Sequence, residues 1–498
     1  MKPKDDWHWP ERPRTHDAAG RLLTDRLRGL TSPYEADRPP FCYPGTTLSV
    51  ARLGRAKHLV GLQINHIGTH THRRAERDRQ AEGGFDDTQS MEAEAVWMLS
   101  SMMGGTRDTV DGYFCGGGTE ANLMGVWIGR EYLRGHPDPM DRGIAVLCTP
   151  LTHYSVHKAC AITDIGQSGL RVCERCGHPH QFVRDPRGTG VAYVGMNDRG
   201  EMDVAALERT FRLLYADGFR RFIVVGNVGT TALGSVDPVA EIGAFIERQE
   251  RDTLARFYLH VDAAFGGFTV PFVAPEIAFG FDVPRVMSVT VDGDKMGRLP
   301  YPAGIFLCRR DLQSFAARTV PYISGHQDDT VSGSRSSLAP VLAWFQFQDE
   351  GIEGQRAYVK ACVRARDRLA ELVEREFRPF GRRFGLLPFS PWVNLLPLSL
   401  PMDGTRIPDV FLEERADGVP AQLKGTAGIL APYHMRSDFV PSNWGDPDSC
   451  PRVAYKICVM PHQFGTTSDG ELDDAKLRQF AADLRATENA WNAWESGA

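Results

Sequence analysis

Lys295 follows an apolar, β-branched run, Ser288-Val289-Thr290-Val291, and sits inside the polar turn Asp292-Gly293-Asp294-Lys295-Met296-Gly297. Such a run reads as a buried strand, so the lysine is delivered at a strand end, where a reactive group is useful. Partial burial matters, because a desolvated ammonium has a lowered pKa and its free amine can form a Schiff base. Alone the position says little, since most lysines after strands are solvated. Four earlier clusters change its meaning.

The first is Cys115-Gly116-Gly117-Gly118-Thr119-Glu120-Ala121-Asn122, between the apolar Tyr113-Phe114 and a helical stretch from Leu123 to Leu133. Glycines let a backbone approach an anion closely, and the amides of a helix start can hold a phosphate. Neither the lysine of a Walker loop nor the spacing of a dinucleotide fingerprint is present. The second cluster, Thr152-His153-Tyr154-Ser155-Val156-His157-Lys158, follows the strand-like Ile144 to Cys148, and an imidazole there could stack on a flat ring, move protons or simply be a bonded core group. Next comes Gly226-Asn227-Val228-Gly229-Thr230-Thr231, with hydroxyls after another strand-like run. Last is His260-Val261-Asp262-Ala263-Ala264, which brings a carboxylate off a buried strand. A buried aspartate needs a cationic partner, and a protonated pyridine nitrogen would be one. A phosphate cradle, a ring-stacking histidine, an acid for a ring nitrogen and an imine-forming lysine together are what pyridoxal phosphate requires.

The elements that must position these groups alternate along the chain. Ile144 to Cys148, Arg221 to Val225, Phe257 to Val261 and Val286 to Val291 are continuous apolar runs separated by helical stretches. That predicts an α/β fold whose mostly parallel sheet is covered on both faces, with ligands beyond the carboxyl ends of its strands. Upstream, Met91 to Leu99 reads as an amphipathic helix with Met91, Ala95, Met98 and Leu99 toward a core. Downstream, a charged helix from Glu353 to Phe377, short strands such as Trp392 to Leu396 and Val453 to Met460, and a helix from Leu472 to Trp494 predict a smaller α+β domain. The division is 1–105 for an N-terminal arm and wrapping segment, 106–345 for the large cofactor domain and 346–498 for the small domain.

Composition sets the outer bounds. The chain has 498 residues, enough for a large core, and its 24% charged residues and net charge of -6 carry no bias toward nucleic acid or anionic membrane. The absence of a long uncharged apolar run or an apolar leader, and ten scattered cysteines, predict a cytoplasmic protein with reduced thiols. Metal ligation is conceivable at His66, His70 and His72 and at Cys173, Cys176, His178 and His180. The first group lacks a carboxylate or thiol at ligand spacing and the second is too tightly spaced to wrap a tetrahedron, so no metal is expected.

From Tyr43 to Leu484 the sequence resembles the group II pyridoxal-phosphate-dependent amino-acid decarboxylases of fold type I. The resemblance rests on Gly117 to Asn122, His153-Tyr154-Ser155, His260 to Ala264, and the lysine segment with Pro300-Tyr301-Pro302-Ala303-Gly304. Gln63 to Gly68 and Asp329 to Arg335 are similar to bacterial histidine decarboxylases, and the lysine segment to tyrosine decarboxylases. It implies a seven-stranded-type sheet, pyridoxal 5'-phosphate as cofactor and decarboxylation of an L-amino acid, histidine or aromatic-like. An oxidative deamination-decarboxylation, a carbon-carbon lyase reaction or a non-catalytic binding role are the other outcomes the fold could serve. By the resemblance Lys295 would carry the cofactor, Asp262 would pair with the pyridine nitrogen, and His153 would stack on the ring and assist protonation. Gly118 and Thr119 would hold the phosphate with Glu120 and Thr230 nearby, and Ala264 would pack on the opposite ring face. It further implies a homodimer with shared active sites, completed by residues around Ser332 to Arg335 from the neighbouring subunit, Ser332 and Ser334 among them. One departure stands out: where the family has a histidine before the lysine, this chain has Asp294. A carboxylate beside a phosphate is repelled unless it turns away or is protonated, leaving Arg298 or a hydroxyl to serve the phosphate.

Overall fold

The computed structural model describes residues 54, 65–67, 86–139, 142–165, 170–172, 179–181, 190–321, 327–377, 385–400, 436–441, 451–460 and 472–496. Cys173, Cys176, His178, His70, His72 and the arm before residue 54 lie outside them, as does the side chain of His180. Seven strands form the central sheet: β1 (Val110–Cys115), β2 (Ile144–Cys148), β3 (Gly190–Tyr193), β4 (Arg221–Asn227), β5 (Arg256–Ala263), β6 (Val286–Asp292) and β7 (Gly304–Arg309). Their order is β1-β7-β6-β5-β4-β2-β3. Only β7 runs against its neighbours, pairing antiparallel with β1 and β6, while the remaining neighbours are parallel. The apolar runs were continuous because both faces are buried. Phe222 and Val224 enter one core with Phe257 and Leu259, and the alternate residues Ile223, Val225 and Tyr258 enter the other.

Helix α1 (Asp86–Ser101) joins the first core through Ala95, Val96 and Leu99. Met91 and Met98 are only half-buried, and the buried stripe instead includes Glu92. A charge is tolerated there because it is saturated with partners. Glu92 Oε1 accepts from the Phe114 amide at 2.8 Å and from Arg335 Nη1 at 2.6 Å, and Oε2 lies 2.7 Å from His66 Nδ1. His66 Nε2 reaches Thr88 Oγ1 at 2.9 Å, so this histidine belongs to a hydrogen-bonded structural cluster. Arg335 also donates to the Phe114 carbonyl and lies over the Tyr113 ring. One ionic hub thus ties α1, the end of β1 and the paired strands Asn65–Ile67 and Ser334–Ser336.

Helix α2 (Gly118–Arg134) crosses the sheet closely, because a Cβ on Gly125 would stand 2.4 Å from the His260 ring. The long helix Leu338–Phe377 is broken at Gly351, whose φ of 62° is left-handed, and its second part leads to the small domain. There an antiparallel sheet runs in the order Gly385–Leu386, Leu395–Leu400, Pro451–Cys458, Arg436–Pro441. The helix Asp474–Glu495 follows it. Among the described residues no helix is long and apolar enough to cross a membrane. Cys115, Cys148, Cys160, Cys308, Cys362 and Cys458 are buried thiols outside any disulfide.

Candidate active site

The carboxyl ends of β1, β2, β4, β5 and β6 share one rim, and the antiparallel β7 begins on it at Gly304, paired with Asp292 on one side and Cys115 on the other. The glycine loop lies directly on this backbone. A Cβ on Gly304 would stand 2.3 Å from the Gly117 carbonyl carbon, and Gly117 itself has φ 139°, which a side chain would strain. Glu120 Oε2 accepts the Gly116 amide at 2.8 Å and so closes the loop from within. The Gly118 amide, at the start of α2, donates to Asp292 Oδ1 at 3.1 Å. Asp292 Oδ2 lies 3.1 Å from Lys295 Nζ.

A carboxylate of the chain therefore occupies the point on which the helix-start amide and the lysine converge, and a phosphate or aldehyde oxygen makes the same demands. Nothing lies within 4 Å of a Cβ built on Gly117, so the loop has room on its outer side. Asp262, at the end of β5, is buried; Oδ1 accepts the Ala264 amide at 3.1 Å and Oδ2 accepts Asn122 Nδ2 at 2.8 Å. The Ala264 methyl is 3.4 Å from a Cβ position on Gly118, beside the cradle. These groups fit pyridoxal phosphate.

The expectation of a lowered lysine pKa is overturned. Burial pulls the Lys295 ammonium down, but Asp292 and then Asp262 more than offset it, and the group rests above its ordinary value. Charge pairing outweighs desolvation because two carboxylates act on one cation, Asp292 at 3.1 Å. His153 behaves oppositely: burial lowers its proton affinity against the pull of Asp262, so the ring is neutral. It caps helix α3 (Tyr154–Ile162), its Nδ1 accepting the Ser155 amide, which leaves the ring proton on Nε2. His157 is the core histidine of this cluster, pushed down to about 4 by burial and held to the Tyr193 hydroxyl at 3.2 Å.

Asn122 connects these parts, and the sequence reading assigned it no role. Its amide donates to Ser155 Oγ and to Asp262 Oδ2, both at 2.8 Å, and its Oδ1 lies 2.9 Å from His260 Nε2. Ser155 Oγ continues to His153 Nδ1 at 2.8 Å, while His260 continues through Ser288 to the Tyr258 hydroxyl. All these donors point one way, from Tyr258 to His153, so the chain of hydrogen bonds sets the tautomer of the neutral His153. The available signal was the spacing of Gly118 and Asn122, four residues apart and hence on one helix face. Replacement of Asn122 with alanine is expected to lower kcat/KM by roughly 10–100-fold, the range for lost supporting hydrogen bonds, and to shift the pH profile of kcat. Steady-state rates over pH check this.

Other predicted residues take different places. Thr230 is buried on the rim, its hydroxyl 2.7 Å from that of Ser235 within its own turn. Thr119 is half-buried in the first turn of α2. Ser332 is half-buried and Ser334 exposed, and no hydrogen bond joins either to Lys295, Asp262 or His153 among the described residues. Arg298 does not serve the cradle: it pairs with Glu350, donates to Gln355 at 2.8 Å and lies 4.1 Å from the Tyr358 ring centroid. Lys456, buried on the last strand of the small domain, also acts on His153 and was not foreseen. Asp294 neither turns away to solvent nor stays charged. It lies against Asp292 with 6% of its surface exposed, and burial, then the Asp292 charge, push its carboxyl up to about 8. Two carboxylates ~4 Å apart would repel by about 4 kcal/mol at an effective dielectric of ~20, enough to hold a proton on one.

A family model for the pyridoxal-dependent decarboxylase conserved domain matches residues 87–382. A tryptophan decarboxylase of Clostridium sporogenes is 30% identical over 292 residues, 58% of this chain and 62% of that protein, so the match spans less than two thirds of that relative. A probable L-tyrosine/L-aspartate decarboxylase of Methanopyrus kandleri is 32% identical over 330 residues, 64% of this chain and 75% of the relative. Among solved structures, the L-methionine decarboxylase of Streptomyces sp. 590 superposes with a TM-score of 0.69 at 20% identity over 95% of this chain and 96% of the other, a likeness of fold. The family match takes in all the rim loops from Gly116 to Lys295 and more than half of the 498 residues, and on that ground the chain belongs to the pyridoxal-dependent decarboxylases.

Proposed function

We propose that the protein removes the α-carboxylate of an L-amino acid, with pyridoxal phosphate as its cofactor, to give the amine and carbon dioxide. The observation that carries this reading is the convergence of Lys295, Asp262, His153 and the Gly118 amide on one sheet rim. Lys295 would hold the cofactor's aldehyde carbon, Gly118 and Thr119 its phosphate, and Asp262 its ring nitrogen. Bound there, the group supplies an electron sink for the pair released when the carboxylate departs. Asp262 is kept in place by Asn122 and the Ala264 amide, so it faces a cation without having to reorganise. His153 holds its one proton at Nε2 and is neutral, as suits a group that passes a proton near neutral pH. Lys456, from the small domain, adds a positive charge that helps to keep His153 neutral.

For the substrate we favour an amino acid with an aromatic or imidazole side chain; the tryptophan named for one relative and the tyrosine named, together with aspartate, for another support the aromatic part. A homodimer in which Ser332 and Ser334 face the neighbouring site is part of the same reading, and the exposure of Ser334 agrees with it. The test is a screen of the amino acids for carbon dioxide release by the cofactor-loaded protein, with oxygen uptake recorded alongside. Histidine, tyrosine or tryptophan should give amine and carbon dioxide in equal amounts without oxygen uptake. Release of peroxide and an aldehyde in place of the amine would overturn the reading.

A further inference from the structure

The cradle is already engaged by an anion of the chain itself, and next to that anion is a second carboxyl group. Asp292 spends one oxygen on the Gly118 amide and the other on Lys295 Nζ, both at 3.1 Å. Asp294, in the same turn, is 6% exposed, is in hydrogen-bonding contact with Asp292, and has its Oδ1 buried with no hydrogen-bond partner among the described residues. Two ionised carboxylates cannot share this place, since burial removes the water that would screen them and Lys295 supplies a single positive charge. The ionisable groups acting on Asp294 are Asp292 and Lys295. Across the cleft Asp262 acts on Lys295, and Lys456 acts on His153, while Arg298 is neutralised by Glu350 on the long helix.

We propose that Asp292 and Asp294 form a one-proton carboxyl pair whose proton licenses the binding of the cofactor's phosphate at the Gly118 cradle. This rests on the reading of the site as one for pyridoxal phosphate. To reach the Gly118 amide, a phosphate displaces the Asp292 carboxylate. The O–H of Asp294 keeps one hydrogen bond on Asp292 when the Gly118 amide is lost, and a protonated Asp294 adds no charge of its own to the site. Once Asp294 ionises, Asp292 loses that donor and the phosphate meets two fixed negative charges. The sign follows: binding requires a proton that the pair releases as pH rises through about 8, so affinity is full below that range and falls above it. Where the family places an imidazole, this chain places a carboxylic acid that can donate only while protonated.

The experiment uses pyridoxine 5'-phosphate, which has the ring and phosphate of the cofactor but no aldehyde, so the ionisation of Lys295 during imine formation does not enter. Its dissociation constant is measured by calorimetry on the apoprotein from pH 6.5 to 9.5, for wild type and for Asp294→Asn, a near-isosteric replacement that cannot ionise. Loss of the ring proton affects both proteins alike and cancels in their ratio. The two constants should be similar at pH 6.5 and diverge above pH 8, the wild type weakening by up to tenfold more per pH unit than the variant, as one linked proton requires. An infrared difference spectrum should also show a protonated carboxyl C=O band in the wild-type apoprotein at neutral pH that Asp294→Asn lacks. Parallel pH profiles for the two proteins would overturn the gate and leave the cofactor reading standing. Failure of wild type to bind the probe at any pH would overturn both.

Discussion

Replacing Lys295 with alanine is expected to lower decarboxylation by at least about 10³-fold, because the strand-end amine at the cradle is removed and no other described lysine pairs with Asp292. The protein incubated with pyridoxal phosphate should also lose the visible absorbance of lysine-bound cofactor. A second consequence follows from the carboxylates that Lys295 holds. Without its ammonium, Asp262 and Asp292 share the cleft with no cation between them, and the apoprotein should be less stable by roughly 1–3 kcal/mol at neutral pH. The sign with pH is definite. Because these carboxylates hold the Lys295 ammonium above its ordinary value, its contribution is full at neutral pH and is lost only as pH rises through that raised value. Thermal melts of the two apoproteins at about pH 7 measure the deficit, and equal melting temperatures would contradict the assignment of Lys295 to the carboxyl cluster. An unchanged rate would remove Lys295 from the chemistry altogether.

The largest effect on stability is expected from Glu92→Ala. Glu92 has no exposed surface, and its carboxylate is the counter-charge of a buried Arg335 and the partner of His66 and of the Phe114 amide. Burial alone pulls the Arg335 guanidinium down, and the charge of Glu92 more than restores it, so the glutamate compensates a cation that would otherwise stand alone in the core. Truncating one side of such a pair leaves the other ion buried and uncompensated, which costs about 3–5 kcal/mol. At 2–4 °C per kcal/mol for a large domain, the melting temperature should fall by roughly 6–20 °C. The second variant Glu92→Gln, which keeps volume and hydrogen-bonding capacity but removes the charge, should lose less. Activity should fall with it, since Phe114 leads directly into the Gly116–Gly118 loop. A Glu92→Ala protein that melts within 2 °C of wild type would show that water or a neighbouring charge takes over the role of Glu92.

Much of this architecture was legible in the chain, for reasons that are local. Continuous apolar runs such as Arg221 to Val225 and Val286 to Val291 can only be strands buried on both faces, and they are. The helix-start glycines, the strand-end Asp262 and the strand-end Lys295 then had to share a rim, because parallel strands put their carboxyl ends together. Interruption by Gly351 likewise separated the long helix near the place where its charged half begins.

What the sequence left open was every choice between partners distant along the chain. Glu92 was not among the helix residues expected to face the core and is the centre of a buried hub, because Arg335, 243 positions away, folds onto it. Asn122 stood at the end of the glycine cluster with no role of its own and joins Asp262, Ser155 and His260 across separations of 140, 33 and 138 residues. The strand-end lysine was legible as a nucleophile, yet its proton affinity came out raised where desolvation alone would have lowered it, since only the folded chain shows Asp292 and Asp262 converging on it. For Asp294 the sequence by itself determined that a carboxyl group stands before the lysine. The tertiary structure alone decided its state, because ionisation depends on burial and on the distance to the next charge, and periodicity encodes neither.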